Sequence, residues 1–371
     1  MSSRTLPQIV LDQLPDANDK LAKAKVLVGF DGFVDTIIHV VAQRASATEY
    51  TRMGAMGEFG KRISAAAGLS ANFEFVSQMV KLGGNGPIMA NAMGAYGAPI
   101  TYVGNLGAPN LHPVFADFAR NAARVISIAE PGYTDAIEFE DGKLMCGKHQ
   151  SLREVNWGNL IKHIPLDELV ALFQESSLIA LVNWTMLPFM SNIWRNIQSE
   201  VAPKLTGPKR WIFFDLADPA KRTREDLAEA LDLIVQFQKH FRVILGLNLQ
   251  EGRQVGEVLG LPAPDDSAEQ VTRHAACLLE KLQLDTVVVH PTAFAAAADS
   301  TGATHVTGPF TPKPKITTGA GDHFNAGFCI GRLLGLDLAG SLQVGVGTSG
   351  FYVRQAKSPS VADLKGFLET L

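Results

Sequence analysis

The chain has 371 residues, 46% of them hydrophobic, with a formal net charge of −4 and a pI of about 6.1. That size and composition can bury a large core, as one α/β domain or as a domain with an appendage. The mild acidity and scattered positive charge leave no basic footprint for nucleic acid or an anionic membrane surface, and no apolar segment is long enough to span a bilayer.

Residues 1–20 read as a loosely attached lead-in without a signal-peptide stretch, so a cytoplasmic protein is expected. The first clear element is Lys25–Phe30, KVLVGF, a buried strand. It places Asp31 and Asp35 just past a strand end, where open α/β sheets hold their ligands, although a turn-forming Asp accounts equally well for one of the two. Thr36–Val41 is β-branched and suits a strand leaving the main sheet, residues 55–67 suit a helix, and Phe73–Met79 suits a further strand. The turn Gly83, Gly84, Asn85, Gly86 precedes Pro87, placed for the first helical position. It can wrap a polar ligand or serve purely as a tight turn. A small-residue helix, Ile88–Tyr96, then leads to a strand at 100–103.

His112–Ala123 is predicted helical. Tyr133–Cys146 alternates on both sides of Asp141-Gly142, a hairpin signal that suggests a lid outside the main layer. Residues 148–162 read as polar and irregular. From 167 a regular βα series begins, with strands ending at Asn183, Asp215, Asn248 and His290. It builds a mostly parallel sheet whose polar strand ends line one edge. Two helices near 338–354 and 360–370 close the chain. The three cysteines, Cys146, Cys277 and Cys329, form no CxxC, and the last two sit in apolar helical runs where burial is expected.

Near the C-terminus lies KPKITTGAGDHFNAGFCIGR, Lys313–Arg332. Thr317, Thr318, Gly319, Ala320 and Gly321 form a small-residue turn, followed by Asp322 and an apolar helical run, Phe324–Ile330. Glycines and the first turn of a helix leave backbone N–H groups unpaired, which makes an anion-binding cup with a carboxylate at its rim. That suits phosphoryl transfer, the cup stabilising charge and the carboxylate accepting a hydroxyl proton. Asn248 and Glu251 share a face if their turn is helical, and Glu251 can then orient water around magnesium; an ordinary polar helix start explains them as well. A GxxxxGK[ST] loop, GxGxxG, HExxH and GxSxG are all absent.

TTGAGDHFNAGF closely resembles the C-terminal signature of the ribokinase-like (PfkB) carbohydrate and nucleoside kinases, and the resemblance spans residues 24–370. It implies a three-layer α/β/α sandwich around a mostly parallel sheet, with residues 1–23 as lead-in, 24–371 as kinase domain, and a small β lid from segments 36–46, 100–105 and 133–150. It implies Gly319, Ala320 and Gly321 as anion hole, Asp322 as base, and Asn248, Glu251, His290 and Thr317 on the donor side, with Glu251 placing Mg2+ through water. Asp35, Gly83, Gly84, Asn85 and Asn183 are implied for the sugar, with Asp31 as a competitor to Asp35. The family commonly has Asn where this chain has Ile88, Asp where it has Ile316, and a Thr-Leu-Gly turn where it has VVVHPTAFAAAA, so a monovalent-cation site is not expected. GGNGPIMAN and the strand ending in His290 with Thr292 after it are similar to the ADP-dependent sugar kinases. The expected activity is a Mg2+-dependent kinase acting on a hydroxymethyl group of a small sugar, with ATP favoured as donor and ADP as alternative. An ADP-dependent sugar kinase, a nucleoside kinase and a non-catalytic sugar binder are the competing readings. The expected partners are a small-molecule sugar and a nucleotide, with no nucleic acid and no membrane; a homodimer is left open.

Overall fold

In the computed structural model, which describes residues 4–371, alternate residues of the central strands enter different cores. Leu27, Ile179, Leu181, Val243, Leu245, Val287 and Val289 join one cluster. Val26, Val28, Leu178, Ala180, Ile244 and Val288 join the other. Side chains of successive strand residues point to opposite faces, so strands apolar at every position must be covered on both faces, and helices supply the cover. The result is the expected three-layer α/β/α arrangement.

In chain order the strands are β1 (Val26–Phe30), β2 (Phe33–Arg44), β3 (Tyr50–Arg52), β4 (Phe75–Gly83), β5 (Ile100–Gly104), β6 (Arg124–Ser127) and β7 (Gly132–Glu138). Then follow β8 (Lys143–Lys148), β9 (Leu178–Leu181), β10 (Arg210–Asp215), β11 (Phe241–Leu247), β12 (Thr286–Val289), β13 (Phe294–Asp299) and β14 (Gly302–Thr307). The large sheet runs β14-β13-β12-β11-β10-β9-β1-β5-β6. It is parallel from β6 to β12 and antiparallel at β13 and β14. The chain leaves β1 first toward β5 and later returns to β9 on its other side. That reversal opens a crevice at the C-terminal end of β1.

A second sheet carries β2 paired with β4, with β7 along Gly132–Ile137 and with β3, and β7 paired with β8. Its own core is small: Val40, Met53, Phe59, Ile137 and Phe139. The hairpin predicted around Asp141-Gly142 is present, with Glu138 opposite Lys143.

Several expectations change. Segment 100–105 is not part of the lid: Ile100–Gly104 is an interior strand of the large sheet, because Ile100, Tyr102 and Val103 are buried between parallel neighbours β1 and β6. The second sheet instead takes β4, most of whose residues stay exposed. The lead-in is not loose. Helices Leu6–Asp12 and Ala17–Leu21 bury Val10, Leu14, Ala17 and Leu21 in the second core; residues 1–3 lie outside the described residues. Residues 148–162 hold a 3-10 turn and the helix Trp157–His163, anchored by buried Leu152 and Leu160. Cys277 is exposed, since the buried stripe of its helix runs through Val271, His274, Ala275 and Leu278. The β13–β14 hairpin went unforeseen, its Ala-rich first strand carrying little β-branched signal. Among the described residues no helix is long and apolar enough to cross a membrane.

The helix Ala320–Leu334 lies against Leu338–Gln355 through glycines. A Cβ on Gly331 would come within 2.6 Å of Ser341 Cα, and one on Gly327 within 2.8 Å of the Val344 carbonyl oxygen. Backbone cannot yield there as a side chain can. Gly327→Ala is therefore expected to cost ~1–3 kcal/mol from overpacking, outweighing the gain of ~1 kcal/mol in helix propensity. Urea unfolding should show a lower midpoint at unchanged m-value; an unmoved midpoint would mean that the two helices can separate at no cost.

Candidate active site

The crevice is organised by Asp31, fully buried at the end of β1. Its Oδ2 accepts hydrogen bonds from the Asn85 amide N–H (2.9 Å) and from Asn183 Nδ2 (2.7 Å), and its Oδ1 accepts from the Gly86 amide (2.8 Å). The Tyr102 hydroxyl donates to its backbone carbonyl. Burial pushes this carboxyl up to about 6 against the lowering pull of Asn183 and the two amides. Asp31 thus caps the helix Asn85–Ala95 and ties it to the loops after β1 and β9. The helix starts two residues before Pro87, which lies within the first turn, where a missing N–H leaves no bond unmade. Gly84, at φ 96°, and Gly83 are required here. A Cβ on Gly84 would meet Asp31 Oδ2 at 2.9 Å, and one on Gly83 would overlap the Asp35 carboxylate.

A second helix N-terminus points at the first. Gly319, at φ 90°, caps Ala320–Leu334, and Asp322 stands in its first turn. Asn85 Nδ2 donates to Asp322 Oδ1 at 2.9 Å, joining the two helix starts. Burial raises the Asp322 carboxyl to about 8; Asn85 opposes the rise, while the charges of Asp31 and Glu251 add to it. The turn ahead of Asp322 is braced from behind. Tyr352 Oη donates to the Thr318 carbonyl (2.9 Å), and His323 Nδ1 lies 2.7 Å from the Gly319 carbonyl, with its Nε2 2.9 Å from Ser358 Oγ. The His323 and Tyr352 rings stack at 3.5 Å, and burial lowers the imidazole to about 4, so it is neutral. The Ala320 N–H donates to the Thr317 carbonyl (3.1 Å); with the Thr318 and Gly319 carbonyls held from behind, the N–H groups of Gly319 and Gly321 are left unpaired, as an anion would need.

Beside this turn lies a cavity of about 430 Å³, lined by Asn248, His290, Thr292, Thr317, Ala320, Gly321 and Phe324 among others, a volume suited to a small organic ligand. His290 lies against Phe324 with ring centres 4.6 Å apart, and burial lowers it to about 4. Asn248 and Glu251 form a capping box. The Asn248 side chain accepts from the Glu251 amide, while Glu251 Oε2 accepts from the Asn248 amide and Oε1 from the Asp218 amide, both at 2.8 Å. Burial raises Glu251. Asp215, read in the sequence only as one strand end among several, is buried beside them. Asn325 Nδ2 donates to its Oδ2 at 2.8 Å, while its Oδ1 has no partner. Burial first, then the charges of Glu251 and Asp322, push it well above the usual carboxylate range.

Asp35 lies apart from these groups, on β2 of the second sheet. Burial raises it; Lys81, Thr134 and Lys143 pull it down. Of the predicted residues, the fold therefore joins Asp31, Asn85, Asn183 and Asp322 in one hydrogen-bonded chain. Asn248, His290, Thr317, Ala320 and Gly321 share one cavity wall, Glu251 is tied in behind Asn248, and Asp35 lies on the second sheet against Gly83. Lys81, Lys143, His323 and Tyr352 went unnoticed. The two lysines occupy strands of the second sheet, where alternation alone does not tell an inward cation from a solvated one.

The family model described as prokaryotic ketohexokinase matches residues 7–371. A ketohexokinase of Haloferax volcanii is 30% identical over 358 residues, covering 96% of this chain and 93% of that protein. The fold is similar to ribokinase of Arabidopsis thaliana complexed with ribose and ATP (TM-score 0.64, 15% identity, 94% of this chain and 99% of that one). It is equally similar to phosphofructokinase-2 of Escherichia coli in complex with substrates and products (TM-score 0.64, 13% identity, 94% and 99%).

Because the Asp31 carboxylate satisfies two backbone amides and the Asn183 amide, Asp31→Ala should strand several buried donors at once. Each unsatisfied donor costs ~1–3 kcal/mol, so a loss of at least ~2 kcal/mol is expected in denaturant unfolding. A variant as stable as the parent, with sugar affinity lost instead, would make Asp31 a ligand-binding group rather than a staple.

Proposed function

Since the chain belongs to the prokaryotic ketohexokinase family and is a sugar kinase of the ribokinase and PfkB type, we propose that it transfers the terminal phosphoryl group of ATP to a hydroxymethyl group of a ketohexose. As a kinase it is not the non-catalytic sugar binder that remained open from the residues alone. The acceptor class follows from the name of the Haloferax relative. The observation that carries the assignment of roles is the meeting of two helix N-termini at Asp322, whose Oδ1 is held by Asn85.

On this reading Asp322 takes the proton of the attacking hydroxyl, as the oxygen–phosphorus bond to the sugar forms and that to ADP breaks. Asn85 fixes one carboxylate oxygen, so that the other faces the hydroxyl. The N–H groups of Gly319 and Gly321 stabilise charge on the moving group, the electrostatic contribution that dominates phosphoryl transfer. Asp35, with Gly83 and Gly84 beside it, binds sugar hydroxyls; Asn183 acts by holding Asp31. Asn248, His290 and Thr317 border the donor. Closing the lid excludes water that would compete with the sugar.

The residues also fit a magnesium ion. Asp215 Oδ1 is buried and unpartnered; burial first, then the charges of Glu251 and Asp322, push that carboxyl up, and a hydrated divalent cation would offset the crowding of these acids. Glu251 would hold it through water, with Asp215 beside it. When bound, the ion neutralises charge on the phosphate oxygens of the donor.

The direct test is product formation from a panel of ketohexoses, aldoses and nucleosides crossed with ATP and ADP. Ketohexose phosphate with ATP is expected; phosphorylation of nucleosides alone, or with ADP alone, overturns the reading at acceptor or donor respectively. Asp322→Asn should lower kcat by ~10²–10⁴-fold, the usual worth of a positioned base, while calorimetry shows both substrates still bound. The base works only when deprotonated. With its carboxyl raised to about 8, kcat/KM for the sugar should climb with pH from 6 through 8 and level above about 9. A profile flat or falling over that interval would remove Asp322 from the role of base. Asp35→Ala should weaken sugar binding by ~1.5–3 kcal/mol, the worth of hydrogen bonds to a charged group, with nucleotide affinity nearly intact in the same titrations.

A further inference from the structure

The carboxyl groups buried around the anion cup, Asp31, Asp215, Glu251 and Asp322, can contribute only negative charge. Backbone N–H groups supply only partial positive charge, and a phosphoryl group in transfer carries its charge on three equatorial oxygens. The Arg222 guanidinium cannot help, since it is committed to the carbonyls of Trp184, Thr185 and Leu187. Among the described residues, the one cationic side chain hydrogen-bonded to the Thr317–Gly321 turn is Lys143. Its Nζ donates to Thr318 Oγ1 at 2.6 Å, across 175 residues of sequence. Lys143 stands at the start of β8, opposite Glu138 and next to the hairpin loop. It is within electrostatic reach of Asp35 and Lys81. The lid therefore carries two cations inward. Lys81 lies directly across the β2–β4 ladder from Asp35, while Lys143 reaches past the sugar side to the residue that precedes Gly319.

We propose that Lys143 is a further catalytic residue: with both substrates in place its ammonium exchanges Thr318 Oγ1 for an equatorial oxygen of the moving phosphoryl group. Lys143 keeps its proton throughout, and the hydroxyl proton goes to Asp322. The hairpin thereby makes charge neutralisation conditional on the lid being down, because the cation belongs to the lid and the cup to the main layer. Sugar beneath the lid, in contact with Asp35, then holds Lys143 where it can act. Nucleotide alone meets an incomplete site, which restrains transfer of the phosphoryl group to water.

The proposal rests on the kinase reading above, and the test separates the two. Wild type, Lys143→Met, Lys143→Arg and Thr318→Val are compared for kcat, for KM of the sugar, and for thermal stabilisation by ADP with aluminium fluoride plus sugar, a planar anionic mimic of the moving group. Lys143→Met should lose ~10²–10³-fold in kcat, the scale on which removing one transition-state donor is felt, with sugar KM within about threefold. Lys143→Arg, which keeps the charge, should recover most of that loss. The stabilisation given by the fluoride complex should fall in Lys143→Met, while that given by ADP plus sugar alone is kept.

If Lys143 only ties the lid down, Thr318→Val, which removes the tether but not the cation, will match Lys143→Met in every readout, and the proposal fails. It fails too if Lys143→Met keeps kcat within threefold, or if Lys143→Arg is as impaired as Lys143→Met while both unfold at the parent's temperature. A wild-type protein that phosphorylates no sugar with either nucleotide overturns the functional reading, and this proposal with it.

Discussion

The site depends on one buried carboxylate that touches no reacting atom on the proposed mechanism. Asp31 gathers the amides of Asn85 and Gly86 and the side chain of Asn183, and so fixes the loop after β1, the loop after β9 and the first turn of Asn85–Ala95. These come from the two sides of the point where strand order reverses. An uncompensated carboxylate at such depth would be prohibitive; three donors make it tolerable and at the same time lock the crevice geometry. Asn85, held by its own amide, then presents its side chain to Asp322. Position passes from Asp31 to the proposed base through a single residue.

Much of this was legible in the chain because it is local. The βα series from residue 167, the Asp141-Gly142 hairpin and the Gly319–Asp322 turn are each written in contiguous residues, and each forms as read. What was not legible depends on which residues meet. Asp31 and Asp35 are equivalent as letters. Only the fold shows that one carboxylate is saturated by three donors, whereas the other faces Lys81 and Lys143 on the second sheet. Strand 100–104 followed a Gly-Pro-punctuated helix and could belong to either sheet; pairing with β1 decides it. Asp215 had the same standing as Asn183 or His290 until its unpartnered oxygen beside Glu251 and Asp322 set it apart. The lead-in helices carry modest signals singly, and are held by a groove made of distant residues.

The charge arrangement explains why the cup needs bracing. Burial raises Asp322, Asp215 and Glu251, and nearby acidic charge adds to it: Asp31 and Glu251 at Asp322, Glu251 and Asp322 at Asp215, and Asp218 at Glu251. A turn under that electrostatic load would relax by rotating its peptides, offering carbonyls in place of N–H groups to whatever enters. Tyr352 and His323 hold the two carbonyls that such a rotation would bring forward, and His323, neutral because it is buried, adds no charge of its own.

The two layers of the molecule differ in what holds them together. The large sheet is bounded on both faces by extensive apolar clusters, and the helix bearing Asp322 is locked to its neighbour at glycine contacts that leave no slack. The second sheet has a separate apolar cluster of only five buried residues, and Phe75, Met79, Val80, Leu144 and Met145 on its strands stay exposed. Cooperative units with few buried contacts open at lower free energy than the whole. Amide hydrogens of β4 and β8 should therefore exchange with solvent through openings that leave β9–β12 intact, and a protease should find its first sites there. The chain thus joins a tightly packed frame to a sheet that opens more readily, and because Lys143 reaches from that sheet to Thr318, each such opening also withdraws this cation from the Thr317–Gly321 turn.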